Sequence, residues 1–150
     1  MKASFEDILA RDGRLVYTSV GDSMHPFLRS GEDLLVIERI TGRLKKYDVP
    51  LYRRDSGRYV LHRVVKVRRD DYVLCGDNRY RRETGITDRH VLGVLTAIVR
   101  KGETLSVNDP AYRRRVRLWC GLYGLRAVIL WTKELPGRVR RKLKSGRNRA

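Results

Sequence analysis

YVLHRVVKVRRDDYVLC, residues 59–75, decides the fold class, because two apolar runs flank a polar turn. The first run, Tyr59–Val67, alternates its side chains between two faces, as a β-strand does. The second run, Tyr72–Cys75, is short and apolar, and Asp70 and Asp71 between the runs favour a turn. The stretch therefore predicts two consecutive β-strands.

Similar runs recur on both sides of this stretch, separated by turn signals that contain Gly, Asp or Ser. Before them, Phe5–Asp12 has a helical pattern, with Ser4 and Asp7 at capping-box spacing and Gly13 after the last turn. The chain is therefore predicted to form a mainly β domain with antiparallel strands. The further predicted strands are Leu15–Val20, Leu34–Glu38, Val49–Arg53, Val91–Arg100 and Glu103–Val107.

The composition changes at Asp109-Pro110, which divides the chain into a β domain over 1–109 and a basic segment over 110–150. The second segment holds an apolar run, Leu118–Trp131, and from Pro136 onward it is predicted to be disordered. Helical spacing within the run predicts an amphipathic helix, which either lies in a membrane interface or packs on the β domain. The residues at that spacing are Leu118, Leu122, Leu125 and Ile129.

The net charge of +17 favours an anionic partner. Thirteen Lys and Arg residues and one acid, Glu134, follow Pro110, so the basic segment carries most of this signal. An anionic membrane is preferred to nucleic acid, because the aromatic residues there share helical spacing with aliphatic ones. The predicted membrane contacts are Arg113, Arg114, Arg115, Trp119, Trp131, Arg140 and Arg141.

No segment is predicted to cross a membrane, because the apolar run is shorter than about 20 residues and contains Arg126. The amino terminus contains acidic residues and has neither a signal peptide nor an anchor pattern. The expected location is the cytoplasm, with peripheral attachment to the membrane. Cys75 and Cys120 lack metal-ligand or disulfide-framework spacing, so no metal, cofactor or disulfide is predicted.

GDSMHP, residues 21–26, places Ser23 on a loop directly after a predicted strand. A serine in such a loop is most often a turn residue, and it becomes a nucleophile only beside a base and oxyanion donors. His62 interrupts a strand face that is at least partly buried, where a lone histidine is more often a satisfied core residue. Its ordinary pKa of about 6.5 nevertheless makes it a candidate base at neutral pH. His25 and His90 lie in polar loops, and either is equally well explained as a surface residue.

In chain order, several motifs resemble the signal peptidase I and LexA-like serine peptidase superfamily. They are GDSMHP, YDVPLYRR, YVLHRVVKV, YVLCGDN and VLGVLTAIVR, and the resemblance covers roughly Leu15 to Arg100. The resemblance implies a coiled antiparallel β fold in which Ser23 is the nucleophile. His62 would be the base, as in the endoplasmic-reticulum type, where histidine replaces the usual lysine. Asp77 and Asp88 are the alternative acids that would orient it, and Met24 and Gly21 would line the substrate cleft.

The sequence departs from the family pattern at three places. Gly21 stands where many signal peptidases have a Ser or Thr oxyanion donor, so backbone N–H groups would hold the oxyanion. In YDVPLYRR, Tyr47 stands where the family usually has Gly, and Pro50 confines its strand to an edge or to an irregular place in the sheet. Twenty-two residues precede Ser23, so the preceding anchor of membrane signal peptidases is not expected.

The resemblance predicts a serine endopeptidase that cleaves a leader or signal-like segment of another chain. A self-cleaving repressor is disfavoured, because no helix-turn-helix domain fits before Gly21. The remaining alternative is an inactive β-rich module that binds nucleic acid or anionic membrane through its basic tail. Retention of the serine, the histidine and the acids in order favours the enzyme.

Overall fold

The computed structural model describes residues 3–147, and for residues 136–147 it describes the backbone only. The mainly β, antiparallel class is confirmed. The elements in chain order are α1 (Phe5–Asp12), β1 (Arg14–Tyr17), β2 (Leu34–Glu38), β3 (Pro50–Arg53), β4 (Tyr59–Leu61), β5 (Arg63–Val67), β6 (Tyr72–Cys75), β7 (Glu83–Ile86), a 3₁₀ turn (Asp88–His90), β8 (Val91–Arg100), β9 (Glu103–Ser106), α2 (Pro110–Gly121) and α3 (Tyr123–Arg147).

The strands form two antiparallel sheets. The larger sheet has the order β1-β2-β8-β3-β4, and β9 pairs with β8. The smaller sheet has the order β5-β6-β7. β7 is absent from the sequence prediction, because its sequence ETGI has neither apolar alternation nor a run of β-branched residues.

Helix α1 agrees with its predicted bounds and with both predicted end signals. The Ser4 hydroxyl accepts a hydrogen bond from Asp7 N–H, and the Asp7 carboxylate accepts one from Ser4 N–H. Gly13 ends the helix with φ of 68°, a left-handed conformation that costs glycine little.

The predicted single strand over Tyr59–Val67 is wrong at His62, where the chain passes from one sheet to the other. β4 pairs with β3 in the larger sheet, and β5 pairs with β6 in the smaller one. His62 is therefore the junction between the sheets. Sequence alternation continues through a junction of this kind, because the residues on both sides are still extended.

Two apolar clusters hold these layers together. The first fills the space between the larger sheet, α1, α2 and the loop after β1, and its members include Leu9, Leu15, Phe27, Leu35, Ile37, Leu51, Leu95, Ile98, Tyr112 and Val116. The second joins β3 to the smaller sheet and consists of Leu44, Tyr52, Val64, Tyr72, Leu74 and Ile86. Burial of these side chains supplies the main driving force for folding.

Pro50 occupies an irregular place, the second of the two positions predicted for it. β3 lies inside the larger sheet, but Pro50 is its first residue, and pairing with β4 begins only at Leu51. The register of β3 against β8 shifts between Leu51 and Tyr52. The missing N–H of proline therefore costs no ladder hydrogen bond with β4.

Helix α2 packs on the β domain through residues that precede the predicted helix Leu118–Trp131, and the structure divides that predicted helix between α2 and α3. Asp109 caps the helix by accepting a hydrogen bond from Tyr112 N–H, and Tyr112 and Val116 are buried in the first cluster. Disorder is predicted from Pro136 onward, and the structure has a helical backbone there as far as Arg147. Leu, Lys and Arg, which are good helix formers, account for much of that segment. Across the part of the chain that the structure describes, no helix is both long and apolar enough to cross a bilayer.

Candidate active site

A groove of about 560 Å³ lies between the loop after β1 and the edge strand β4. Ser23 and His62 both line it, although they come from different parts of the chain. Gly21 and Met24, the predicted cleft residues, line the same groove. The groove thus gathers the predicted nucleophile, the predicted base and the predicted cleft residues on one surface.

The loop that carries Ser23 is held by the segment after β6. Asn78 N–H donates to the Ser23 carbonyl oxygen at 2.8 Å, and Arg79 Nη2 donates to Asp22 Oδ1 at 2.6 Å. A Cβ on Gly76 would lie 2.7 Å from the Ser23 carbonyl oxygen, so only glycine permits this approach. The close contact fixes the backbone at the half-buried Ser23.

The two cleft residues, Met24 and Gly21, are held by different contacts. Met24 is 5% exposed and belongs to the first apolar cluster, so its backbone is anchored in the core. Gly21 has φ of 101°, which is accessible to glycine, and its N–H donates to Ser30 Oγ at 3.0 Å. Because that N–H is already bonded, Gly21 does not supply it to an oxyanion.

His62 lines the groove with a side chain that is 17% exposed. Its Nδ1 is 3.4 Å from Tyr52 Oη and 3.8 Å from Glu83 Oε2. Tyr52 Oη donates to Glu83 Oε2 at 2.6 Å. Arg54 Nε donates to Glu83 Oε1 at 2.6 Å, and Arg54 Nη2 donates to Glu83 Oε2 at 2.7 Å. We call Arg54, Glu83 and Tyr52 the Glu83 network.

The Glu83 network favours one tautomer of His62. The Tyr52 proton is engaged with Glu83, so the Tyr52 oxygen is the acceptor that faces Nδ1. A proton on Nδ1 leaves the lone pair on Nε2, which is the arrangement a general base requires. Burial raises the pKa of Tyr52, and the Glu83 charge raises it further, so the hydroxyl stays protonated.

Electrostatics keep His62 neutral and Glu83 charged. Burial lowers the pKa of His62 to about 4, and the Glu83 charge offsets only part of that effect. Burial acts to raise the pKa of Glu83, but hydrogen bonds from Arg54 and Tyr52 outweigh it and leave that pKa below its usual value. The site therefore holds an unprotonated imidazole beside an ionised carboxylate.

Asp77 and Asp88, the two predicted orienting acids, bond to residues other than His62. Both Asp77 oxygens accept from Arg63, at 2.8 and 2.7 Å, and this ion pair is almost wholly buried. Asp88 bonds to Tyr72 and lies 3.8 Å from Arg43, with its side chain 61% exposed. The carboxylate beside His62 is Glu83, which the sequence reasoning missed.

The other two histidines lie away from the groove. His25 is exposed next to Pro26, in the loop after β1. His90 is buried, with Nε2 3.2 Å from Asp55 and Nδ1 accepting from Thr87 N–H at 3.0 Å. Among the described histidines, His62 alone lines the groove with Ser23.

The arrangement is suited to acyl transfer. It supplies a hydroxyl, a neutral imidazole and a strand edge in one groove, with the Glu83 network next to the imidazole. Comparisons with family models, with curated proteins and with solved structures found no match for this chain.

Proposed function

We propose that the protein is a serine endopeptidase of the signal peptidase and LexA-like kind, with His62 as the base. The observation that carries the proposal is the shared groove, in which Ser23 lies with a neutral histidine backed by the Glu83 network. The ordered sequence motifs support the same conclusion. Removal of the Ser23 proton by His62 Nε2 makes the hydroxyl a nucleophile toward a peptide carbonyl.

The reaction then follows the logic of a serine and histidine pair. Ser23 Oγ attacks the carbonyl carbon, and backbone N–H donors stabilise the oxyanion. The imidazolium that forms is stabilised by the Glu83 charge, and His62 then protonates the leaving amine. Water, with His62 again as the base, then attacks the acyl-enzyme, and Ser23 leaves as the restored hydroxyl.

The substrate proposed for this groove is an extended segment of another chain. β4 lies at the edge of the larger sheet and lines the groove, so an extended peptide can add to it by main-chain hydrogen bonding. This geometry suits a leader or signal-like segment, which is unfolded before it is cut. The alternative, an inactive module, gives no role to the Glu83 network beside His62.

Cleavage of leader-like peptides tests the proposal. Purified wild type is incubated with a panel of such peptides beside Ser23→Ala and Ser56→Ala, and the products are identified by mass spectrometry. Ser56 lies in the turn between β3 and β4, so its variant is a matched control. We expect products from wild type and from Ser56→Ala only, because alanine removes the nucleophile. Equal cleavage by Ser23→Ala would reject the assignment.

The pH dependence should show a base with a low pKa. His62 is active when neutral, and its pKa of about 4 means that the active form is lost only as pH falls through that value. We expect the acid limb of kcat/KM well below pH 6.5, the ordinary histidine value. Kinetics across the acid range, with circular dichroism at each pH, measure this limb.

The lowered pKa of His62 also makes the fold less stable in acid. Circular dichroism at each pH therefore has to show that the protein is still folded. Between about pH 4 and 6.5 the unfolded chain binds a proton at His62 that the folded chain does not. Stability therefore falls as pH falls through this window. Half-maximal kcat/KM at or above pH 6.5, with the fold intact, would contradict a buried neutral base.

A further inference from the structure

The C-terminal helices α2 and α3 present an inner face to the active-site side of the domain. Trp119 Nε1 donates to the Asp77 carbonyl oxygen at 2.9 Å, and Tyr123 Oη donates to the Tyr80 carbonyl oxygen. Arg126 is only 6% exposed and stacks over the rings of Trp119 and Tyr123 at 5.5 and 5.2 Å. These contacts fix the helices on the segment that holds the Ser23 loop.

The opposite face of these helices is apolar and exposed. Its large apolar side chains keep between 45% and 66% of their surface accessible. We call the set Leu118, Leu122, Leu125, Val128 and Ile129 the outer stripe. Trp131 follows Ile129 by two residues, so it lies at the flank of the stripe, and it is 45% exposed. Leu118, Leu122 and Leu125 are spaced by about one helical turn, and Leu125 and Ile129 repeat that spacing within α3. A continuous exposed apolar stripe of this kind marks an interaction surface.

Cations bound the outer stripe at both ends. Arg114 lies four residues before Leu118, and Lys133 lies four residues after Ile129, so each falls on the same helical face. Both are exposed, as are Arg115 and Arg117 beside the first end. Long basic side chains can lie along apolar surface while their charged ends reach polar groups.

We propose that the outer stripe docks the protein on an anionic lipid surface. An amphipathic helix inserts its apolar face among acyl chains, while flanking Lys and Arg contact lipid phosphates. A second copy of the chain would bring two strongly basic flanks together, which charge repulsion disfavours. Nucleic acid would meet the cations but would leave the aliphatic stripe uncovered.

The structure changes the set of predicted membrane contacts. Trp119 faces the domain, because its ring packs on Phe27 and its N–H is bonded to Asp77. Trp131 is 45% exposed and stays in the set. The side chains of Arg140 and Arg141 lie outside the described residues. The leucines and Ile129 replace Trp119 as the residues that would enter the lipid.

Vesicle sedimentation with the full chain tests the docking. The probes are phosphatidylcholine vesicles with and without phosphatidylglycerol, and the variant is Leu125→Glu. We expect wild type to bind only the anionic vesicles, and binding to weaken at high salt. Leu125→Glu should reduce partitioning about tenfold or more, because a carboxylate resists insertion into the interface. Leu125 is 62% exposed, so its replacement leaves the core unchanged.

Val67→Glu is the matched control, because it places the same charge at an exposed apolar position on β5, away from the helices. It should bind vesicles as wild type does. Trp131 emission should shift to the blue on binding, and Trp131→Phe should lose that shift. Both readouts are independent of peptidase activity, so the docking and the proposed function can fail separately.

Two results would overturn the docking. One is equal vesicle binding by wild type and Leu125→Glu with no Trp131 shift. The other is a wild-type dimer in analytical ultracentrifugation that Leu125→Glu converts to a monomer while vesicle binding is unchanged. The second result would assign the outer stripe to another copy of the chain.

Discussion

Replacing Glu83 with glutamine should lower kcat/KM for a cleaved peptide about a hundredfold, mostly through kcat. Glutamine keeps the size of the side chain but removes the charge that stabilises the imidazolium of His62. The effect is smaller than for a carboxylate bonded directly to the base, because Nδ1 is 3.8 Å from Glu83 Oε2. Steady-state kinetics measure it, with thermal unfolding as the test of the fold.

Glu6→Gln is the matched control for this prediction. Glu6 pairs with Arg53 at 3.3 Å and accepts from Tyr59 Oη at 2.8 Å, so it has the same kinds of partner as Glu83. It does not contact His62, and its replacement should leave kcat unchanged. Tyr52→Phe removes the hydroxyl that faces Nδ1 and should lower kcat without releasing Arg54 from Glu83.

The pH profile separates a positioning role of Glu83 from a purely structural one. The Glu83 charge raises the pKa of His62 against the larger effect of burial. Glu83→Gln should therefore move the acid limb to still lower pH, whereas general loosening of the fold would expose His62 and move it upward. An unchanged kcat and an unchanged acid limb would remove Glu83 from the proposed mechanism.

Short sequence motifs correctly predicted the helix ends and strands in which they lie. Ser4, Asp7 and Gly13 define both ends of α1 without tertiary contacts, and the structure confirms those ends. Short apolar runs located most strands, because β-branched and aromatic residues mark half-buried extended chain. Ser23 stands out for the same reason, since its loop directly follows a recognisable strand.

The orienting acid could not be predicted in this way. Glu83 reaches His62 only because β7 pairs with β6 in the smaller sheet, beside the point where the chain changes sheets. Asp77 follows a motif in the expected order, but it faces Arg63. Both Asp77 oxygens accept from Arg63, the residue next to His62 in the chain, so Asp77 does not bond to the imidazole.

The burial of α2 could not be predicted from the sequence either. Its basic composition suggested a separate segment, yet Tyr112 and Val116 complete the first apolar cluster. Two buried side chains in a basic helix give too weak a pattern to show which surface covers them. Asp109-Pro110 is the start of α2, the helix that carries these two buried side chains.

Asp77→Ala should lower the free energy of unfolding by about 3–5 kcal/mol, because it leaves the Arg63 charge buried without its partner. The Arg63 side chain is 1% exposed, so water cannot replace the carboxylate without opening the core. The remaining contacts of Arg63, to the Tyr47 carbonyl oxygen at 3.0 Å and Tyr112 Oη at 3.3 Å, do not neutralise its charge. For a chain of this size the loss is a fall in melting temperature of about 6–20 °C.

A matched control for this prediction lies in α1. Arg11 and Asp12 form the same two-bond geometry, both bonds at 2.8 Å, but on the surface. Water screens that pair, so Asp12→Ala should leave the melting temperature almost unchanged. A comparable loss in both variants would show that burial is not the cause.

The double variant Arg63→Met with Asp77→Leu decides whether Asp77 acts through stability or through chemistry. Replacing both charges by apolar side chains removes the unpaired charge, so most of the stability lost in Asp77→Ala should return. If Asp77 only ties the segment after β6 to β5, cleavage should return with the fold. If instead stability returns while kcat stays low at every pH, Asp77 has a role in the reaction that its contacts with Arg63 do not explain.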